Sequence, residues 1–268
     1  MSGSGFPEVV IELRRAGCVF AEDEATLLID AAGGDPGRLD ALVEQRVSGT
    51  PLEYLLGWVE FRGLRVGVRP GVFVPRQRTA FLVDQAVDGV APDTTRACVV
   101  DLCCGCGALG LSAATELSAR GCDVELVAAD IDPVAVACAR ENLAPMSAPV
   151  FGGDLFDALP GDLRGRIDVL LANTPYVPSA RVADLPPEAR EHEPLAALDG
   201  GADGLDVFRR VAEGAARWLA PGGTVLVETG AGQVDTACSV LTAHGLQPRV
   251  AESEEYYATV VLGTRHPG

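Results

Sequence analysis

The sequence predicts an α/β protein: a doubly wound, mostly parallel sheet with a small helical region and a β-hairpin ahead of it. Three observations carry this. From Ala97 onward, short apolar runs alternate with helical patterns, the order that builds a parallel sheet. A glycine loop, Gly105-x-Gly107-x-x-Gly110, joins the first of those strands to its helix. The last two runs, Gln247–Ala251 and Thr259–Leu262, follow one another without a helix, so the sheet closes on an antiparallel strand.

The elements follow in order. Pro7 to about Val47 reads as helical, with Val9, Val10 and Leu13, then Leu27, Leu28 and Ile29, near helical spacing. Gly33-Gly34-Asp35-Pro36-Gly37 breaks it, and Leu39, Leu42 and Val43 mark one face of the helix that follows. This region is too small to bury much alone and is expected to cap the larger body. Ser48-Gly49-Thr50-Pro51 bounds it. Trp58 to Val68 alternates around a glycine turn, as a hairpin does. Val72 to Arg76 follows, with a helix from Thr79 to Val87. Cys98–Leu102 is a strand, Ala108–Ala119 a helix and Val124–Ala129 a strand. Pro133–Leu143 is a helix opened by Asp132 as its cap. A weak strand near Val150 precedes the strand Asp168–Asn173. Ser179 to Ala202 has many prolines and charges and no period, and reads as a loop. Leu205–Leu219 is a helix, Gly223–Glu228 a strand and Val234–Ala243 a helix.

Composition narrows the class. The chain has 268 residues, of which 48% are hydrophobic, enough for a sizeable core. A net charge of −17 opposes attraction to a phosphate backbone, so nucleic acid is disfavoured as a partner. Arg62, Arg65, Arg69, Arg76 and Arg78 cluster in sequence and read as a solvated face. The apolar runs are too short for a bilayer, and Met1 to Gly5 lacks a basic n-region and an apolar h-region, so the chain is expected in the cytoplasm, away from membranes. Of eight cysteines, Cys103 and Cys106 form a C-x-x-C. No second pair follows, which argues against a metal and for small reduced thiols.

The stretch with most chemistry is Leu170 to Tyr176. An apolar strand ends in Asn173-Thr174-Pro175-Tyr176. Asn173 offers an amide, Pro175 biases Thr174 toward extended backbone with its carbonyl outward, and Tyr176 offers a flat face. Two acceptors and a platform at a strand end can hold a planar group bearing an NH2. The glycine loop, with Asp130 about twenty residues on, matches a dinucleotide fingerprint. Asp101, just before the loop, would repel a pyrophosphate and suits a cation instead, as in the sulfonium and ammonium of S-adenosylmethionine. Asp130 can accept from ribose hydroxyls, and Asp154 from an adenine amino group.

With these residues the chain resembles the protein-(glutamine-N5) methyltransferases of the HemK/PrmC family, in a divergent branch of actinobacterial type. The resemblance covers nearly the whole length: Gly49-Thr50-Pro51-Leu52-Glu53-Tyr54-Leu55-Leu56-Gly57 with Glu60-Phe61, Val74-Pro75-Arg76, the glycine loop, Asp130, Asn173–Tyr176, His192-Glu193-Pro194, and Gly200 to Asp206. It implies a Rossmann-like class I methyltransferase sheet of seven strands at 79–268, a helical substrate-recognition domain at 1–50 and a hairpin linker at 51–78. It implies S-adenosyl-L-methionine as cofactor, leaving S-adenosyl-L-homocysteine, and a glutamine amide of a protein as acceptor, best known in the Gly-Gly-Gln loop of peptide release factors. Cofactor contacts are then expected from Asp101, Cys103, Gly105, Gly107, Asp130, Ile131, Asp154, Leu155 and Asn173. Catalysis is expected from Asn173, Thr174, Pro175 and Tyr176, and acceptor contacts from Phe73, Arg76, Asn173 and Tyr176. Two departures stand out: Thr174 replaces a proline, and Gln77-Arg78 replaces Pro-Glu, reversing a charge. Three alternatives compete: methylation of an exocyclic amine in nucleic acid, methylation of a small metabolite, and a cofactor-binding adaptor without catalysis. An oxidoreductase remains only if the Asp101 argument fails.

Overall fold

The computed structural model describes residues 5–266; residues 1–4, most of the stretch read for a signal sequence, lie outside them. The helical region is three helices, α1 Phe6–Arg15, α2 Ala21–Ala32 and α3 Pro36–Val47. The expected continuous helix from Pro7 breaks after Arg15. Gly17 takes φ +96°, and the Cys18 amide turns back onto the Leu13 carbonyl at 3.0 Å. The Asp35 carboxylate caps α3, accepting from the Gly37 and Arg38 amides. Val9, Leu13, Leu28, Leu39 and Val43 make this bundle a core of its own. A short helix absent from the sequence reading, α4 Leu52–Leu56, leads into the hairpin β1 Trp58–Phe61 and β2 Leu64–Gly67. Its turn, Arg62-Gly63, has both residues at positive φ, which matches the twist of the paired strands.

After α5 Ala80–Gly89 the chain enters the sheet: β3 Arg96–Leu102, α6 Ala108–Ala119, β4 Asp123–Asp130, α7 Pro133–Leu143, β5 Val150–Gly152 and β6 Ile167–Ala172. Then come α8 Pro187–His192, α9 Leu195–Leu198, α10 Asp206–Trp218, β7 Leu219–Thr229, α11 Val234–Ala243, β8 Leu246–Ser253 and β9 Ala258–Arg265. The seven strands lie in the order β5-β4-β3-β6-β7-β9-β8, and β9 is the antiparallel one. One face packs on α5, α6 and α7 through Val99, Val169 and Leu171; the other packs on α10 and α11 through Val100, Leu170 and Phe208. The expected loop from Ser179 to Ala202 instead holds a 3-10 turn, α8 and α9. Each of these follows a proline (Pro178, Pro186, Pro194) and stops within about two turns, too short to show a period. No helix among the described residues is long and apolar enough to cross a membrane.

This topology places the site. The strand order reverses between β3 and β6, where a parallel sheet leaves a crevice. Leu102 pairs with both Ala129 and Ala172, so Cys103, Asp130 and Asn173 all leave the sheet from one row.

Candidate active site

A cavity of 490 Å³ opens over that row, between the glycine loop and the 185–198 segment. Asp101 borders it from the end of β3, buried, with Oδ2 accepting from the Gly110 amide at 2.8 Å. A Cβ on Gly110 would stand 3.0 Å from that carboxylate, so the third glycine lets α6 approach it. Burial, opposed by the Gly110 amide and reinforced by Asp130, pushes the Asp101 carboxyl up to about 7. A carboxylate held there is stabilised by a cation in the cavity and would repel a pyrophosphate. Asp130 accepts from the Gly105 amide (2.8 Å) and the Asp132 amide (2.9 Å), so both its oxygens are fixed by backbone. Asp132 caps α7 through the Val134 amide. Ile131, an apolar side chain left 65% exposed, and Leu155, at φ +48°, both line the cavity beyond Asp130, as a flat aromatic ring requires. Asp154 Oδ2 accepts from the Arg210 guanidinium of α10 at 2.7 Å. These residues fit S-adenosylmethionine.

Cys103 and Gly105 line the cavity at positive φ, and the Cys104 amide ties the loop to Ala129 of β4. Gly107, the one expected cofactor residue that does not border the cavity, lies behind its wall. A Cβ there would meet Leu143 of α7 at 3.2 Å. The cysteines are free thiols, and burial first of all pushes Cys106 up to about 12. No metal-binding cluster forms among the described residues.

The Asn173–Tyr176 turn forms the opposite wall. The Asn173 Oδ1 is buried and has no hydrogen-bond partner, an uncommon condition for an amide oxygen. The Thr174 amide bonds the Ala172 carbonyl at 2.9 Å, and Thr174 is buried, with its hydroxyl also unpartnered. The turn is clamped from behind. Gln233 Nε2 donates to the carbonyls of Tyr176 (2.9 Å) and Asp203 (2.8 Å). A Cβ on Gly200 would stand 2.5 Å from the Pro175 carbonyl, and one on Gly204 2.2 Å from that of Tyr176. The Gly200–Gly204 stretch is therefore a close-packed backing for the turn.

The linker supplies the outer wall. Glu193, buried, accepts from the Val74 amide at 3.1 Å and from the Arg76 guanidinium, which lies 4.9 Å over the Phe73 ring. Tyr54 anchors the same stretch by donating to the Val72 carbonyl at 2.7 Å. Arg78 reaches Glu228 of β7 (2.9 Å) and the Tyr176 hydroxyl. The structure thus brings Asn173, Thr174, Pro175, Tyr176, Phe73 and Arg76 to one cavity with all of the residues expected to contact the cofactor except Gly107. Reading by sequence assigned no role to Glu193, Glu228, Gln233 or Arg210. Glu228 could have been found by the signal that marked Asp101, a carboxylate closing an apolar strand. The arginines of the linker form no basic groove: Arg62 pairs with Asp84 and Glu116, Arg69 with Glu141, Arg76 with Glu193 and Arg78 with Glu228, and Arg65 lies over Trp58.

Residues 65–185 match the family model of the methyltransferase small domain. The release factor glutamine methyltransferase of Geobacter sulfurreducens is 39% identical over 206 residues, spanning 76% of this chain and 69% of that one. That of Mycolicibacterium smegmatis is 37% identical over 232 residues, 85% and 79% of the two chains. A 4-amino-L-phenylalanine/4-methylamino-L-phenylalanine methyltransferase of Streptomyces pristinaespiralis is 34% identical over 80% of this chain and 73% of that one. Among solved structures, a methyltransferase from Pyrococcus furiosus superposes with a TM-score of 0.55 at 14% identity, covering 76% and 90% of the chains. The T. thermophilus 16S rRNA N2 G1207 methyltransferase in complex with AdoMet and guanosine gives 0.54 at 20%, covering 78% and 50%. These two likenesses show the fold.

Proposed function

The chain belongs to the release factor glutamine methyltransferases, S-adenosylmethionine-dependent enzymes that methylate a glutamine amide, and from this premise we propose that Asn173 and Thr174 hold the acceptor amide and that the acceptor lies in the Gly-Gly-Gln loop of a peptide release factor. The observation that carries the site assignment is the orphaned Asn173 Oδ1, a buried acceptor waiting for a donor.

Bound in this cavity, S-adenosylmethionine supplies an electrophilic methyl group on a sulfonium. Asp101 would offset its positive charge, Asp130 would accept from the ribose hydroxyls, Ile131 and Leu155 would flank the adenine, and Asp154 would accept from its amino group. An amide nitrogen is a weak nucleophile because its lone pair is delocalised into the carbonyl. Asn173 Oδ1 and the Thr174 carbonyl accept its two N–H groups. They turn the lone pair toward the cofactor and stabilise the charge that grows on nitrogen. Pro175 shapes the turn, and the Tyr176 ring packs against the amide plane. The proton leaves after transfer, so no strong general base is required. Thr174 keeps the carbonyl that a proline would offer, so the departure spares this chemistry. In this reading residues 1–50 recognise the substrate protein, 51–78 link, and 79–268 carry the transfer.

The test is transfer of labelled methyl to purified release factor with its Gly-Gly-Gln glutamine intact or changed to alanine. Label in the intact protein alone is expected. Label in both, or in neither while calorimetry still shows cofactor binding, moves the acceptor elsewhere.

A further inference from the structure

Glu228 is the penultimate residue of β7, is buried, and lies outside the groups assigned above. Its two oxygens collect three donors from two segments, the adjacent Arg78 and Thr79 and the Asn173–Tyr176 turn. Oε1 accepts from Arg78 Nε at 2.9 Å and from the Tyr176 hydroxyl at 3.0 Å; Oε2 accepts from the Thr79 hydroxyl at 2.6 Å. The Arg78 guanidinium also bonds the Tyr176 hydroxyl, and its carbon lies 5.8 Å from the ring centroid. Tyr176 is therefore gripped at both ends, the hydroxyl by Glu228 and Arg78 and the carbonyl by Gln233. With its hydroxyl and its backbone carbonyl both bonded, Tyr176 is held against the cavity wall.

We propose that Glu228 is a positioning residue for methyl transfer: it sets the Tyr176 ring against which the acceptor amide packs, with Arg78 as its neutralising partner. This rests on the reading of Asn173–Tyr176 as the acceptor turn. A buried carboxylate must be matched in charge, and here the match comes from the linker. The reversed charge at Arg78, which stands out in the sequence, is answered by Glu228 across 150 residues of chain. Arg78 then serves the turn instead of leaving the substrate to supply a cation.

A double-mutant cycle on release-factor methylation tests this. Glu228→Gln keeps the shape and removes the charge; Tyr176→Phe removes the hydroxyl it holds. Glu228→Gln is expected to lower kcat by about tenfold or more, the scale of a misplaced reacting group, with cofactor affinity by calorimetry unchanged. In the Tyr176→Phe background the same change should cost less than about twofold, because its route is already cut. Arg78→Met approaches the contact from its other side and should show the same coupling, which covers the case of Glu228→Gln failing to fold. Additive effects, or loss of melting temperature with kcat intact, overturn the proposal. Asn173→Ala run alongside separates the two claims: full turnover there defeats the acceptor turn itself, whereas an inactive Asn173→Ala with an additive cycle defeats only the role of Glu228. No turnover by the unsubstituted protein defeats the reading on which both rest.

Discussion

Asp101 titrates where its surroundings put it. An unfolded aspartate titrates near pH ~4, and this one is pushed up to about 7 in the fold. Between those values the folded state keeps a proton that the unfolded chain has released. Stability therefore falls as pH rises from about 4 to about 7 and levels off above. Asp101→Asn should flatten that slope in denaturant titrations. Binding of the cationic cofactor runs the other way. Calorimetric affinity should rise between about pH 6 and pH 8, and the Asn variant should be both weaker and flat. A pH dependence that survives the substitution assigns the proton to another group. At the opposite wall, Asn173→Ala should cost about a hundredfold in kcat, the usual loss for a transition-state hydrogen bond, while cofactor affinity changes little. Normal turnover in that variant would exclude the acceptor role.

At the scale of elements, the Asn173–Tyr176 turn has another stretch of backbone packed against it. Gly204→Ala would put a methyl 2.2 Å from the Tyr176 carbonyl at φ +81°. It should cost about 1–3 kcal/mol of stability and lower turnover while calorimetric cofactor binding holds. Strands and long helices were legible because burial imprints a period: α6, α7 and α11 begin and end where the apolar pattern does. The glycine loop and the Asn173–Tyr176 turn were legible because they break such patterns with unusual residues. The helices between 179 and 198 were not, because each is too short to repeat. The clamps were least legible. Glu193 meets Arg76 across 117 residues and Glu228 meets Tyr176 across 52, and no local pattern encodes such pairs.

Across the whole molecule, Arg46 links the helical bundle to the cavity wall. Arg46 of α3 donates to Glu24 (2.7 Å) and to the Thr50 carbonyl (3.2 Å), and lies 3.7 Å from Glu188, which lines the cavity. Arg46→Ala should cost about 1–3 kcal/mol as its partners lose a buried donor, and should raise KM for the protein acceptor more than for the cofactor. Initial rates against each substrate would show this. With a net charge of −17 and the linker arginines taken up internally, DNA or RNA should not compete even at low salt. A competitor with a steep salt dependence would reopen the nucleic-acid reading. The position of β9 has a further consequence for synthesis. It follows β8 in sequence and is the last strand among the described residues, yet it lies between β7 and β8. While a ribosome is still adding these residues, β7 has an unpaired edge, and Val225 and Val227 on that strand lack their pairing partners Gly263 and Val261. The half of the sheet that carries Glu228 can settle only once residues 258–265 have emerged. Nascent chains stalled before that point should expose this edge to proteases and chaperones, although the glycine loop and Asn173 have long been made.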